Sequence, residues 1–185
     1  MKSLRLTLPI CALSLLVLAS SAVAQDADKA KLIEIEKAFA ASANPGPESA
    51  AVAKQYLYDG PLNQLTPMGR VGMLPKARVM EFFTAPDPTD PNVKTSVTLA
   101  DFHVDLYGTT ALVTYKQSNT DTGHKDPALN VTEHFGCLDT FVKRNAAWTI
   151  VGTACSPDQP IPQAVWDAVK KAMSQQPKDI QQAYH

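Results

Sequence analysis

This chain has no excess of positive charge: it carries 17 Lys and Arg residues against 18 Asp and Glu residues and has a net charge of −1. A protein that binds nucleic acid or an anionic membrane surface needs a cluster of basic side chains, and the sequence contains none. After residue 24 no apolar run is long enough to span a bilayer. The composition therefore predicts neither a nucleic-acid partner nor, once the N-terminal segment is removed, a membrane partner.

The patterns of metal and cofactor chemistry are also absent. The four histidines are scattered, and no two of them have the i, i+4 spacing by which a helix presents a pair of metal ligands. No glycine-rich phosphate loop is present. We therefore expect a protein without a metal or a cofactor.

The N-terminus has the pattern of a cleavable secretory signal peptide. Lys2 and Arg5 precede an apolar core of about a dozen residues, which is short of the ~20 that a spanning helix needs. Ala22-Val23-Ala24 forms an A-x-A cleavage site before a polar start. We expect cleavage after Ala24 and a secreted or periplasmic protein; an uncleaved membrane anchor is the alternative. The leader holds two basic and no acidic residues, so its removal changes the net charge from −1 to −3.

Two cysteines follow the leader, Cys137 and Cys155, and an exported compartment permits a disulfide between them. They flank a hairpin turn near residues 144–147. A loop centred on Ala146 would place the cysteines opposite each other, whereas a tighter Asn145-Ala146 turn would offset them unless a bulge intervenes. We favour the disulfide over two buried free thiols.

The hydrophobic period changes from helical in the first half of the chain to alternating in the second. Helices are predicted over residues 26–43 and 48–57 and from Pro75. Strands are predicted at residues 62–66, 96–106, 110–117, 131–143 and 147–155. A polar loop is expected at residues 119–127, a further helix at 164–173, and a frayed tail at 174–185. Helices followed by a strand meander predict an α+β fold in which the helices pack on one face of the sheet.

Four stretches, taken in order, resemble the SnoaL-like branch of the nuclear-transport-factor-two-like superfamily. They are the opening helix end at 35–43, the strand and turn at 55–69, the two-strand Gly-x-x-Ala-x-Val core at 104–114, and the hairpin at 139–151 with its basic pair and Trp148. The hairpin departs from the family pattern because Ala146 stands where a turn glycine is usual.

This resemblance implies a cone-shaped fold in which N-terminal helices pack on a strongly curved antiparallel sheet. It covers about residues 30–156, so the domains are expected to be a signal peptide at 1–24, the SnoaL-like domain at 26–156, and a C-terminal helix and tail at 157–185. Related folds commonly pair through the outer face of the sheet, which implies a homodimer. Family members include isomerases, cyclases, dehydratases and association domains, so the fold alone assigns no function.

Asp139 is the candidate site residue that the strand pattern singles out. It shares a strand face with Phe141, and burial beside an aromatic residue would raise the pKa of its carboxyl and suit it to proton abstraction. Tyr56 and Tyr115 are candidate hydrogen-bond donors to a bound carbonyl, although both would equally serve as core residues. The expected pocket lining also includes His134, Phe141 and Trp148, the last of which we interpret as a core residue.

A second histidine, His103, lies between Asp101 and Asp105 on the polar face of a strand. It could act as a base steered by a carboxylate, but we favour a solvent-facing or dimer-facing position, because the opposite face is apolar. No acid–base constellation stands out. We therefore expect a secreted binding or interaction module whose pocket holds a small apolar ligand. The alternative is a cofactor-independent isomerase, dehydratase or cyclase that uses Asp139 as its base.

Overall fold

The structure is a computed structural model that describes residues 11–66, 69–84, 91–175 and 178–184, so the first ten residues of the expected leader lie outside it. Its helices are α1 (Cys11–Ala41), α2 (Pro47–Tyr56), α3 (Lys76–Thr84), α4 (Gln163–Gln175) and α5 (Lys178–Ala183). Its strands are β1 (Leu62–Leu65), β2 (Val71–Leu74), β3 (Lys94–Tyr107), β4 (Thr110–Thr122), β5 (Thr132–Arg144) and β6 (Ala147–Pro157). The predicted α+β class is confirmed.

The strands form one open, curved sheet in the order β2-β1-β6-β5-β4-β3. The last four strands in sequence are the predicted antiparallel meander. The expectation of a wholly antiparallel sheet is wrong in one respect, because β1 pairs with β6 in parallel. This pairing adds the hairpin β1–β2 to the meander and extends the sheet beside its longest strands.

Strand alternation decides which side chains enter the core. Along β5, Phe135, Cys137, Asp139 and Phe141 are all buried, and the residues between them are more exposed. Helix α1 supplies Leu32 and Ile35, which are fully buried. The core therefore lies between α1 and one face of the sheet, and Asp139 is a carboxylic acid on the apolar side of a central strand.

Two predicted boundaries are wrong. Strand β4 continues through Thr122 into the stretch expected to be a polar loop, because residues 119–122 pair with β3 on one side and residues 119 and 120 also pair with β5 on the other. The expected frayed tail contains α5, in which Ile180 is 4 % exposed. The nearby Tyr184 hydroxyl donates to Gln64 on β1. The C-terminal segment thus packs against the β1–β2 hairpin.

The turn between β5 and β6 is the tighter of the two alternatives, and a bulge corrects its register. Asn145 and Ala146 both have positive φ, at 50° and 63°, as a two-residue type I′ turn requires. A register shift between Thr140 and Phe141 then brings Cys137 opposite Cys155. Their Cα atoms are 4.2 Å apart and their sulfurs are bonded, so the predicted disulfide is present.

The turn supplies a prediction about stability. A left-handed backbone is costly for alanine and nearly free for glycine, so Ala146→Gly should raise the free energy of unfolding by about 1 kcal/mol. Ala147→Gly is the matched control: its backbone has no positive φ, and glycine in a strand should destabilise the fold. Urea unfolding of both variants checks this, and a destabilised Ala146→Gly protein would contradict it.

Helix α1 is tied to the last hairpin by one carboxylate. Lys143 Nζ lies 2.6 Å from Asp28 Oδ1, and the indole Nε1 of Trp148 donates to the same oxygen at 2.9 Å. The hydrogen bond from Lys143 lowers the pKa of Asp28, and the bond from Trp148 acts in the same direction. This anchor fixes the middle of helix α1 over the sheet.

Candidate functional site

The main cavity lies between α1 and the sheet and has a volume of about 320 Å³. Its apolar lining consists of Phe39, Ala40, Ala43, Leu57, Phe83, Val97, Leu99 and Ile150. Its polar lining consists of Glu36, Thr95, Tyr115, Gln117, Asn119, Asp139 and Thr153. The lining thus combines eight apolar with seven polar residues, and small-molecule sites likewise use placed polar groups beside apolar surface.

Three of these polar residues, Glu36, Tyr115 and Asp139, form what we call the acid cluster. They come from α1, β4 and β5, and their exposed fractions are 3 %, 7 % and 4 %. Strand register brings two of them together: Tyr115 pairs with Cys137, so Asp139 is its diagonal neighbour on the same face. The Tyr115 hydroxyl donates to Asp139 Oδ2 at 3.2 Å.

The carboxyl groups of Glu36 and Asp139 interact directly, and burial dominates their protonation. Burial raises the pKa of Glu36, and the charge of Asp139 raises it further. Burial also raises the pKa of Asp139, although hydrogen bonds with Thr153, Glu36 and Tyr115 act in the opposite direction. Two buried carboxyl groups in contact cannot both ionise easily, so the pair retains a proton near neutral pH.

Glu36 Oε1 and Asp139 Oδ1 are both buried, and neither accepts a hydrogen bond from an N–H or hydroxyl group of the described residues. The donor available to them is the proton that the carboxyl pair retains. A buried unpaired polar atom costs roughly 1–3 kcal/mol. Native structures leave few such atoms, so the acid cluster is an unusual part of the core.

Burial also raises the pKa of the Tyr115 hydroxyl, and the neighbouring carboxyl charges act in the same direction. The hydroxyl therefore stays protonated. Because its proton is directed at Asp139, Tyr115 orients the carboxyl group of Asp139 within the cavity wall.

A second cavity of about 250 Å³ adjoins the first and shares Gln117, Asn119 and Thr153 with it. The side chain of Gln117 donates to that of Asn119 at 2.9 Å, so a pair of amides lies in the shared wall. Cys155 of the disulfide also lines this second cavity.

Of the residues predicted for the pocket, Tyr115 and Asp139 line the main cavity and the other four lie elsewhere. Phe141 is fully buried in the core.

Trp148 contacts Asp28, as described above. His134 is on the opposite face of β5, where its Nδ1 lies 2.8 Å from Ser118 Oγ. Tyr56 packs against Phe39 with ring centroids 6.4 Å apart.

His103 lies on the exposed face of β3, as the alternation favoured for a solvent-facing or dimer-facing residue. Its side chain is 71 % exposed, and its Nε2 lies 3.2 Å from Asp105 Oδ1. Neither residue lines either cavity. Within the described ranges, no three His, Cys, Asp or Glu side chains are grouped so that they could hold a metal ion.

Glu36 is the site residue that the sequence interpretation missed. It follows Leu32 by four positions and precedes Phe39 by three, so it lies on the apolar stripe of α1. A carboxylate on the buried face of an amphipathic helix is rare unless it is paired. The place of Glu36 on the apolar stripe was therefore the feature of the sequence that could have identified it as a site residue.

Solved structures with the same fold support the architecture. A candidate dehydratase of the nuclear-transport-factor-two-like family from Streptomyces avermitilis is 18 % identical, with a TM-score of 0.59 over 74 % of this chain and 99 % of its own. A superfamily protein from Salmonella enterica serovar Typhimurium is also 18 % identical, with a TM-score of 0.59 over 75 % and 96 %. The calmodulin-dependent kinase II hub of S. rosetta is 21 % identical, with a TM-score of 0.51 over 68 % and 93 %.

The chain therefore has the nuclear-transport-factor-two-like fold. At these identities the likeness concerns the fold alone. No protein-family model matches the sequence, and a search of curated proteins finds no match. What the protein does therefore depends on the acid cluster and the cavity around it.

Proposed function

We propose that the protein binds a small organic molecule in the main cavity. The acid cluster hydrogen-bonds to the polar group of this molecule, and the apolar lining packs against its hydrocarbon part. The observation that carries this proposal is the buried carboxyl pair of Glu36 and Asp139, which lines a cavity of about 320 Å³ and has two oxygens, Glu36 Oε1 and Asp139 Oδ1, that accept no hydrogen bond from a protein N–H or hydroxyl group. Burying a carboxyl group without a partner destabilises a protein. A ligand that bonds to both oxygens would offset that cost.

Asp139→Asn should abolish retention of the ligand and leave the fold intact, because asparagine has nearly the same shape but presents a different set of hydrogen-bonding atoms. Native mass spectrometry of protein purified from its own compartment would show the retained mass in the wild type and its loss in the variant. Asp105→Asn is the matched control, since Asp105 is 47 % exposed and outside both cavities. Equal retention by wild type and Asp139→Asn would contradict the proposal.

A second candidate function is cofactor-independent proton transfer, as in an isomerase, dehydratase or cyclase. It is favoured by a specific observation: the cavity wall holds two interacting carboxyl groups and a tyrosine hydroxyl. A pair that shares one proton offers a base, Asp139, next to an acid, Glu36. The structural likeness to a candidate dehydratase is compatible with this chemistry.

The two functions differ in whether hydrogen exchange occurs at carbon. The retained molecule would be incubated with the protein in deuterated water, and its mass would then be measured by mass spectrometry. Uptake of deuterium at carbon that Asp139→Asn suppresses would support the enzyme, and an unchanged mass would leave binding alone.

We further propose that the protein is exported and cleaved after Ala24. The Cys137–Cys155 disulfide supports an oxidising compartment. Among the described residues, no helix has the length and hydrophobicity for a bilayer crossing. N-terminal sequencing of exported protein should begin at Gln25, and a start at Met1 would contradict the proposal.

A homodimer formed through the outer sheet face, and membership of the SnoaL-like branch, complete the proposal. The outer face exposes Leu138 by 37 %, and a relative by fold is an association hub. Analytical sedimentation at micromolar concentration should give twice the mass of one chain. A monomer at high micromolar concentration would contradict the dimer.

A further inference from the structure

The hydrogen-bonding atoms that the acid cluster leaves unused are acceptors. The hydroxyl proton of Tyr115 is directed at Asp139 Oδ2, so this residue has no donor left for a ligand. The two unpartnered atoms, Glu36 Oε1 and Asp139 Oδ1, are carboxyl oxygens. The pair retains one proton near neutral pH, and once that proton is lost both groups only accept hydrogen bonds. The cluster thus calls for a ligand that brings hydrogen-bond donors.

The charges around the main cavity have one sign. Its lining contains Glu36 and Asp139 and no Lys, Arg or His. Lys37 on α1 is exposed, with its ammonium group 5.9 Å from the ring centroid of Phe102, and it is not among the lining residues. Within the described part of the chain, the lining therefore offers no protein cation to balance the two carboxyl groups.

From this geometry we infer that the ligand of the main cavity is a small organic amine, bound as its ammonium ion with N–H donors to Glu36 and Asp139. This inference rests on the proposed binding function and names its ligand class. An ammonium group brings up to three donors and the charge that the lining lacks. Hydrogen bonds between an ammonium group and a carboxylate are about twice as strong as those between neutral groups.

The apolar part of the lining fits the hydrocarbon part of such an amine. Apolar surface comes from Phe39 of α1, Phe83 of α3, Ile150 of β6 and Leu57, which directly follows α2. The rings of Phe39 and Phe83 lie 5.9 Å apart, and aromatic faces also attract cations. A volume of about 320 Å³ corresponds to that of roughly ten water molecules, which suits a ligand of one ring or a short chain.

Proton linkage distinguishes an ammonium ligand from a neutral one. Without a ligand, burial and mutual repulsion keep a proton on the carboxyl pair of Glu36 and Asp139. An ammonium ion would stabilise the ionised carboxylates and expel that proton. A neutral alcohol would leave the pair protonated. Binding of the amine should therefore release protons to the buffer, and binding of the alcohol should release none.

The experiment uses matched probes that differ only in the polar group. Amines, alcohols and carboxylates with benzyl, cyclohexylmethyl and n-hexyl skeletons would be titrated into the full mature protein by calorimetry at pH 7, in two buffers of different ionisation enthalpy. We expect at least one amine to bind tenfold or more tightly than its alcohol, with proton release, and the carboxylates not to bind. Glu36→Gln and Asp139→Asn should each weaken the amine at least tenfold, and Asp105→Asn should not.

The outcomes separate the two levels of the proposal. If an alcohol binds as tightly as its amine, or if a carboxylate binds, the amine assignment is wrong and the binding function stands. If an amine binds without proton release and Glu36→Gln does not weaken it, the assignment is also wrong. If none of the nine probes binds, both the ligand class and the small-molecule function are overturned.

Discussion

Replacing Glu36 with glutamine is expected to make the protein more stable in alkaline solution and to flatten the dependence of its stability on pH. Burial raises the pKa of Glu36 in the folded state, and the Asp139 charge adds to the effect. In the unfolded chain, the same carboxyl group titrates near 4.5. Between these two pKa values the folded protein binds a proton that the unfolded chain has lost, so the stability of the wild type falls as pH rises. Glutamine does not titrate, so the variant lacks this loss.

Each pKa unit of difference between the folded and unfolded states corresponds to about 1.4 kcal/mol. We therefore expect the Tm of Glu36→Gln to exceed that of the wild type by at least ~5 °C at pH 9 and the gap to close at pH 4. Thermal unfolding across this range measures it. Glu34→Gln is the control, because Glu34 is on the same helix with a side chain that is 64 % exposed. Parallel pH profiles for the wild type and Glu36→Gln would show that Glu36 is not the buried acid described above.

Removing the disulfide should cause the largest single loss of stability among these tests. Cys137 and Cys155 are 18 residues apart in sequence. For a loop of this length, the chain-entropy estimate gives about 3 kcal/mol. The Cys137→Ala, Cys155→Ala double variant should unfold at correspondingly lower urea concentration.

Reduction of the wild type with dithiothreitol supplies the matching control, since it breaks the same bond without changing the side chains. It should lower the urea midpoint by a similar amount. A double variant within about 0.5 kcal/mol of the wild type, or two titratable thiols on unreduced, unfolded mature protein, would show that the bond does not form.

The hydrophobic period was sufficient to predict the meander, because strands with one buried face must alternate. The predicted strand at residues 131–143 differs from β5 by one residue at each end. The same alternation placed Asp139 on the face of Phe141, where the structure has both residues buried. It could not supply the parallel pairing of β1 with β6, because that contact joins segments far apart in sequence.

The candidate site was only partly predictable, because it depends on register between distant elements. Sequence reasoning singled out Asp139 and Tyr115 separately, but their contact follows from the diagonal placement set by the β4–β5 ladder. The disulfide illustrates the same limit. The turn at Asn145-Ala146 alone predicts offset cysteines, and only the bulge at Val151 of β6, opposite Thr140 and Phe141, restores their alignment.

The C-terminal tail was mispredicted for a different reason. Residues 174–185 are rich in polar side chains, and a single isoleucine, Ile180, carries most of the burial of α5. One apolar residue makes no detectable period. Its partner surface, the β1–β2 hairpin, was itself predicted only in its first strand, so the sequence offered nothing for this segment to pack against.

The anchor at Asp28 has a practical consequence for handling the protein. Asp28 lies four residues after the expected cleavage point and eight residues before Glu36, which is about 12 Å along the helix axis. Its bonds to Lys143 and Trp148 hold the helix in place independently of whatever precedes residue 25. A purification handle, fluorophore or surface tether attached ahead of Gln25 should therefore leave the cavity undisturbed, and the N-terminus is the place to immobilise the protein for ligand screening.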